Sequence, residues 1–195
     1  MNGEKAMTEL KPVALGEHIY RLFNVGGTSL VSAAYNGEED VMPATWVCPL
    51  TTEGHMTACI EHTHFTRPLI EKSGMIAISL PTLSIAKQVM ALGSVSKNDD
   101  PHKLEKSGAR FFKMPGYDMP LVEGCACYVI FEIVPEHHIE QAWDLFVCKP
   151  VAAWSDPRVY ENGHWKFETA PHELSTLHYV AGGRFYTIGS PIDVD

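Results

Sequence analysis

The stretch Val41-Met-Pro-Ala-Thr-Trp-Val-Cys-Pro-Leu50, continued by Thr57-Ala-Cys-Ile-Glu-His-Thr-His-Phe-Thr-Arg-Pro-Leu-Ile-Glu-Lys-Ser-Gly74, decides how this chain folds. Val41 to Val47 reads as the returning strand of a hairpin. Thr28 to Tyr35 supplies the outgoing strand, and Asn36-Gly37 is a strong turn signal. Pro43 cannot donate to a ladder, which puts its strand at an edge or a bulge. The strand runs into a small, polar and aromatic cluster, Ala44-Thr45-Trp46. Met56 to His62 is a further short strand that delivers Glu61, His62, His64, Thr66 and Arg67 just before a helix. Thr66 is the expected N-cap of that helix, Pro68 sits in its first turn and Ser73-Gly74 ends it. A flat aromatic surface, backbone donors and an anion site therefore fall within a few residues of each other.

Outward from this stretch the pattern stays mainly β. Met75 to Leu80 is another strand. Thr82 can cap a helix over Leu83 to Leu92, with Gly93 as its stop. Ser94 to Pro101 is a polar loop, and His102 to Ser107 a short third helix. Leu121 to about Trp154 is β again, rich in Val, Ile, Phe, Cys and Tyr. His137-His138 beside Pro135 reads as an exposed turn. Asp156-Pro-Arg158 and Glu161-Asn-Gly-His164 are turns, and Leu177 to Gly189 closes the chain. With no repeat or linker, one β-barrel carrying small helices is the economical expectation.

Composition sets the function classes. The 195 residues carry 15 Lys and Arg against 24 Asp and Glu, a net charge of -9. That balance argues against nucleic-acid or anionic-membrane partners, which reward clustered cations. It leaves room for one small phosphate held locally. No window approaches the roughly 18 apolar residues of a membrane span. Met1 to Leu10 lacks an apolar core flanked by basic residues, so no leader is expected and the cytoplasm is the default location. Five cysteines in an odd count, with no C-x-x-C, suit a reducing compartment.

Several motifs compete. No G-x-G-x-x-G or G-x-x-x-x-G-K-[ST] loop is present, so any dinucleotide is handled outside a Rossmann fold. Cys59, Glu61, His62 and His64 invite a metal, yet on a strand they alternate between faces and no separated second ligand pair accompanies them. A metal is not expected. Cys48 as a nucleophile lacks any local signature. Cys125-Ala-Cys127 reads as small core residues. Thr66-Arg67 at a helix start has a phosphate-binding mechanism through first-turn amides and guanidinium, with Lys97 as a second cation. Each of these also has an ordinary structural reading.

The ordered series resembles the flavin reductase-like, FMN-binding split-barrel family, which includes flavoredoxins and reductase components of two-component monooxygenases. Its pieces are Met42-Pro-Ala-Thr-Trp-Val-Cys-Pro49, Thr66-Arg-Pro-Leu-Ile-Glu-Lys-Ser-Gly74 and Gly93-Ser-Val-Ser-Lys-Asn-Asp99. Pro120-Leu-Val-Glu-Gly-Cys-Ala-Cys127 and Gly183-Arg-Phe-Tyr-Thr-Ile-Gly189 complete it. The resemblance covers about residues 12–189 and implies a single domain over 1–195, mainly β, a split β-barrel with a few short peripheral α-helices.

It also implies non-covalent FMN. Ala44, Thr45, Trp46, Val47 and Cys48 would line the flavin ring, and Cys59, Glu61 and His62 would lie near the ribityl chain or ring. His64, Thr66 and Arg67 would hold the phosphate, joined by Ser96 and Lys97. His178 and Tyr179 would sit by the flavin face, with His178 as a proton donor or positioning group. The implied activity is hydride transfer from NADH or NADPH to flavin, in a homodimer with the flavin near the interface, passing electrons onward to an acceptor protein. The family pattern His-x-Leu-Phe-Val-Gly-Glu-Val is replaced here by Trp143-Asp-Leu-Phe-Val-Cys-Lys-Pro150, which bears on the nicotinamide side of the site. A flavoredoxin with fixed FMN and a non-enzymatic ligand-binding barrel are the alternative readings.

Overall fold

A seven-stranded antiparallel sheet organises the computed structural model, which describes residues 26–194. The reading of Met1 to Leu10, and the part of the expected core before Gly26, lie outside those residues. The strands, in chain order, are β1 (Ser29–Tyr35), β2 (Glu38–Ala44), β3 (Val47–Pro49), β4 (Met56–Cys59) and β5 (Met75–Pro81). They continue with β6 (Phe111–Phe112), β7 (Leu121–Val122), β8 (Cys125–Val134) and β9 (Leu145–Ser155), then β10 (Tyr160–Glu161), β11 (His164–Trp165), β12 (Leu177–Ala181) and β13 (Arg184–Thr187). Helices α1 (Thr66–Ser73), α2 (Ala86–Ser94), α3 (Lys103–Lys106) and α4 (His137–Trp143) fall between them. The main sheet runs β2-β1-β5-β8-β9-β4-β3, and β6–β7, β10–β11 and β12–β13 form small hairpins.

The strand order has a geometric consequence. β2 and β3 are the two outer edges of the sheet, yet only Thr45 and Trp46 separate them in sequence. Seven strands laid flat would hold their edges about 29 Å apart at the usual spacing. The three Cα steps from Ala44 to Val47 reach at most about 11 Å. The sheet must therefore curl until its edges nearly meet, and no ladder joins β2 to β3. This is the split barrel, and the fold is mainly β with short helices.

The elements follow from local chemistry. Asn36 and Gly37 adopt left-handed φ values of 50° and 83°, the backbone that a two-residue hairpin requires, and Tyr35 pairs with Glu38 across it. Pro43 lies in β2, at the sheet edge, where a missing N–H costs nothing. Val31, Ala33, Ile76, Ile78 and Phe131 fill the concave side, into which α1 inserts Leu69 and Ile70. On the convex side, Val89 and Leu92 of α2 cover Leu30 and Val41.

Four local expectations are corrected. Phe65, not Thr66, precedes the first helical residue of α1, and no side chain caps that end; Gly74 does end it, at φ 66°. The strand from Met56 stops at Cys59, and Glu61 to His64 form a turn closed by the His64 amide on the Glu61 carbonyl. The alternating-face argument for those residues therefore does not apply. His137-His138 begin α4 instead of a turn. Thr82 makes no cap bond; its hydroxyl donates to the Gly124 carbonyl, and a 3-10 turn over Leu83–Ile85 precedes α2.

Gly93 is not a helix stop either: α2 continues to Ser94. Its role is close approach, because a Cβ there would stand 2.6 Å from Cγ of Pro43. Ala at a helical Gly gains about 1 kcal/mol in propensity, but overpacking against a rigid ring costs about 1–3 kcal/mol. Gly93→Ala is expected to lower the urea midpoint, as followed by circular dichroism. A raised midpoint would show that Pro43 gives way.

Candidate functional site

The approach of Gly93 to Pro43 does more than pack α2. Those two residues form a shared wall of two hollows that lie end to end between β2 and α2, each of about 240 Å³. Among the described residues, no charged side chain lines one end. Val89 and Met90 of α2 face Ala44 and Thr45, and Tyr179 and Phe185 from the β12–β13 hairpin complete it. Tyr179 and Phe185 are cross-strand partners with rings 5.1 Å apart, and the Tyr179 amide donates to the Thr28 hydroxyl at 2.9 Å. The hairpin is thereby tied to the start of β1.

The other end is polar and charged. Asp40, His64, Thr66, Ser96 and Lys103 line it. Asp40 is the hub: its Oδ2 accepts from the Thr66 hydroxyl at 2.7 Å, and its Oδ1 accepts from Nζ of Lys103 at 3.0 Å. All three residues are at most 3% exposed. The Nδ1 of His64 is also buried and has no hydrogen-bond partner among the described residues. Asp40 and Lys103 were missed from the sequence. Asp40 is the third acid of the run Glu38-Glu39-Asp40, and nothing in that run marks it as the buried one.

The cations that the sequence did single out are occupied elsewhere. Arg67 points to the other side of α1. Its Nε donates to Glu71 at 2.6 Å, its Nη1 to the Ile60 carbonyl at 2.7 Å and to Asp144 at 2.9 Å, and its Nη2 to the Glu140 carbonyl at 2.8 Å. The guanidinium also sits 4.4 Å over the Phe146 ring. These contacts lock α1 to the α4–β9 corner, and Arg67 does not line the charged hollow. The first-turn donors are depleted as well, because the Arg67 amide bonds the His64 carbonyl and Pro68 has none. Lys97 donates to the Glu39 carbonyl at 2.7 Å and lies over the Phe65 ring, and it does not line the cleft.

The remaining expected residues divide in the same way. Ala44, Thr45, Tyr179, His64, Thr66 and Ser96 meet the cleft. Trp46, Val47 and Cys48 turn away from it into the β3–β4 ladder, where the Trp46 carbonyl accepts from the Cys59 amide. Cys59 and His62 gather at Asp144 instead: the Cys59 thiol donates to the Trp143 carbonyl and His62 Nδ1 lies 3.5 Å from the Asp144 carboxylate. Glu61 is an exposed turn residue. His178 and Tyr179 do not share a face. Alternation along β12 sends Tyr179 into the cleft and His178, with its partner Tyr186, to the reverse of the hairpin.

Thiol chemistry has little support. Burial raises the pKa of Cys59, Cys125 and Cys127 and pushes Cys148 up to about 12, so these remain protonated at neutral pH. No helix among the described residues is long and apolar enough to cross a membrane.

Known proteins share this architecture. Residues 23–187 match the family model described as flavin reductase like domain. The chain is 30% identical to the uncharacterized protein YddH of Escherichia coli K12, over 95% of this chain and 98% of that one. The crystal structure of an FMN-binding domain of a flavin reductases-like enzyme from Shewanella baltica is 40% identical, with a TM-score of 0.85 over 90% of this chain and 93% of that one. A flavoredoxin from Methanosarcina acetivorans, 18% identical, shares the fold at a TM-score of 0.74 over 96% and 95% of the two chains. A split barrel with this strand order and a family match spanning most of its length make the chain a member of the flavin reductase-like, FMN-binding split-barrel family.

Proposed function

We propose that the chain binds FMN non-covalently in the cleft between β2 and α2 and works as an NAD(P)H:flavin oxidoreductase. The observation that carries this reading is the placement of charge along the cleft. An uncharged end walled by Tyr179 and Phe185 is joined to an end lined by Asp40, Lys103 and His64. A flavin mononucleotide has the same division, with a flat ring at one end and a phosphate monoester at the other. FMN, when bound, supplies the hydride-accepting ring that no side chain provides.

The chain's own residues do the rest. Ala44 and Thr45 present the end of β2 to the ring, and Tyr179 and Phe185 shield it from water. His64, Thr66 and Ser96 stand at the phosphate end. The cradle depends on Gly93, since a side chain there would meet the ring of Pro43. Homodimer formation, with the flavin near the interface, and a cytoplasmic location belong to the same reading. So does onward transfer of electrons to an acceptor protein.

The first measurement is the visible spectrum of the purified chain, alone and with added FMN. The expected result is a flavin spectrum at one equivalent per chain, and failure to bind added FMN would overturn the reading. Anaerobic addition of NADH or NADPH should then bleach the flavin within seconds. FMN that binds but resists both nicotinamides would instead favour a flavoredoxin-type carrier reduced by a protein donor. Sedimentation should show a dimer.

A further inference from the structure

Half of one interior strand has an open edge. β9 pairs with β8 from Val147 to Ser155, but β4 covers its other edge only from Leu145 to Cys148. Among the described residues, no strand pairs with that edge beyond Cys148. Lys149, Pro150 and the unpaired bulge residue Val151 occupy its first part. A lysine, a proline and a bulge are the usual guards against edge pairing. Ala152-Ala153-Trp154-Ser155 carries none of them. The outward N–H and C=O groups of that strip are a template for another strand.

The side chains beside the edge are a second, independent sign. A hollow of about 450 Å³ adjoins it, lined by Cys127, Val129, Tyr160, Trp165 and the side chains of the strip. Among the described residues, no charged side chain lines it. Trp165 is 40% exposed, yet it is held in place. Its ring stacks on Phe167 at 4.8 Å and meets the edge of Tyr160 at 4.8 Å. A rigid, exposed aromatic at an uncharged hollow has the character of an interface anchor.

A second copy of this chain fits that edge. Two copies of one strand meet across a two-fold axis as antiparallel neighbours, with one residue facing its own counterpart. Centred on Ala153, the pairing sets Trp154 against Ala152 of the second copy and Val151 against Ser155 of the second copy. Each large side chain then meets a small one, and Pro150 falls at the margin. The ends cross too, bringing Lys149 of each copy toward Asp156 of the other. A chain of net charge -9 repels its copy, and does so least where strip and hollow carry no charge. The ladder register also puts Ser155 on the same rim of the sheet as Ala44. Ala44 pairs with Ser29, Leu30 with Ser79, Leu80 with Cys127 and Cys127 with Ser155.

We propose that the open edge of β9, from Ala152 to Ser155, is the surface through which two copies of the chain pair, with Trp165 as the anchor beside it. This rests on the homodimer of the reading given above and names the surface that forms it.

The test is sedimentation of the full chain and its variants. Ala153 is exposed, so Ala153→Lys keeps the fold while setting two like charges face to face at the axis. It should raise the dissociation constant of the wild-type dimer by about tenfold or more, with an unchanged circular dichroism spectrum. A folded variant that dimerises as tightly as wild type overturns the inference. Ala153→Cys probes the same point with a small side chain, in a Cys48→Ser background because Cys48 is exposed. Facing Cα atoms of an antiparallel pair lie about 4.5–5.5 Å apart, within disulfide reach. Mild oxidation should therefore link two copies, and no linking beyond that of the Cys48→Ser parent overturns the inference.

Tyr186→Glu, on the reverse of the β12–β13 hairpin, should leave the dimer intact. A dimer lost there and kept in Ala153→Lys would assign the contact to the hairpin and overturn the role of β9. A wild-type monomer overturns the inference and the homodimer of the reading above together. Failure to bind FMN in a chain that is dimeric overturns that reading and leaves the β9 surface supported.

Discussion

The two-residue step through Thr45 and Trp46 is the constraint on which the rest of the structure depends. It joins opposite edges of one sheet, so it forces the curl that turns seven strands into a split barrel. The curl creates a concave side that α1 fills with Leu69 and Ile70 and a convex side that α2 covers. It also leaves the end of β2 at the seam, where the backbone is released from pairing just as it meets α2. Hollows flank the close approach of Gly93 to Pro43, on either side of it. The site is thus a by-product of how the barrel is kept from closing.

Asp40 gives that seam its charge. A carboxylate 1% exposed in a strand facing a helix would be costly alone. Here it is met by a hydroxyl from α1 and an ammonium from α3, so one residue ties β2 to both elements. Replacing such a cluster with apolar residues of equal volume is often neutral or favourable for stability. What the cluster does fix is the placement of α1 and α3 against β2.

Much of this was legible in the sequence where a local rule has one geometric answer. Asn36-Gly37 specified a hairpin, Pro43 an edge, and Gly74 a helix end, and each is found. Helix starts were less legible: Thr66 and Thr82 carry the residue type of a cap, but their hydroxyls found better partners in Asp40 and Gly124. The segments that form the site could be recognised as an ordered series, whereas the direction of each side chain could not. Arg67 and His64 are three residues apart on one turn, and Asp144 and the Glu140 carbonyl, far along the chain, help draw the arginine to the other side. Lys103, within the Lys103-Leu104 piece that follows Asp99 in the family series, carried no site reading, since its partner Asp40 lies 63 residues earlier.

The different settings of Arg67 and Lys103 have a chemical basis. An arginine presents a rigid planar fork of donors, suited to fixed acceptors in different directions, and stacks on an aromatic ring. Those are the demands of the corner where Ile60, Glu140 and Asp144 surround Arg67 above Phe146. A lysine offers a compact charge on a flexible stem, with donors that rotate to suit whatever arrives. Between β2 and α3 one bond to Asp40, at 3.0 Å, meets the compact ammonium of Lys103. The chain therefore uses the stiff, many-bonded cation to hold α1 against the α4–β9 corner and the compact one to tie α3 to β2.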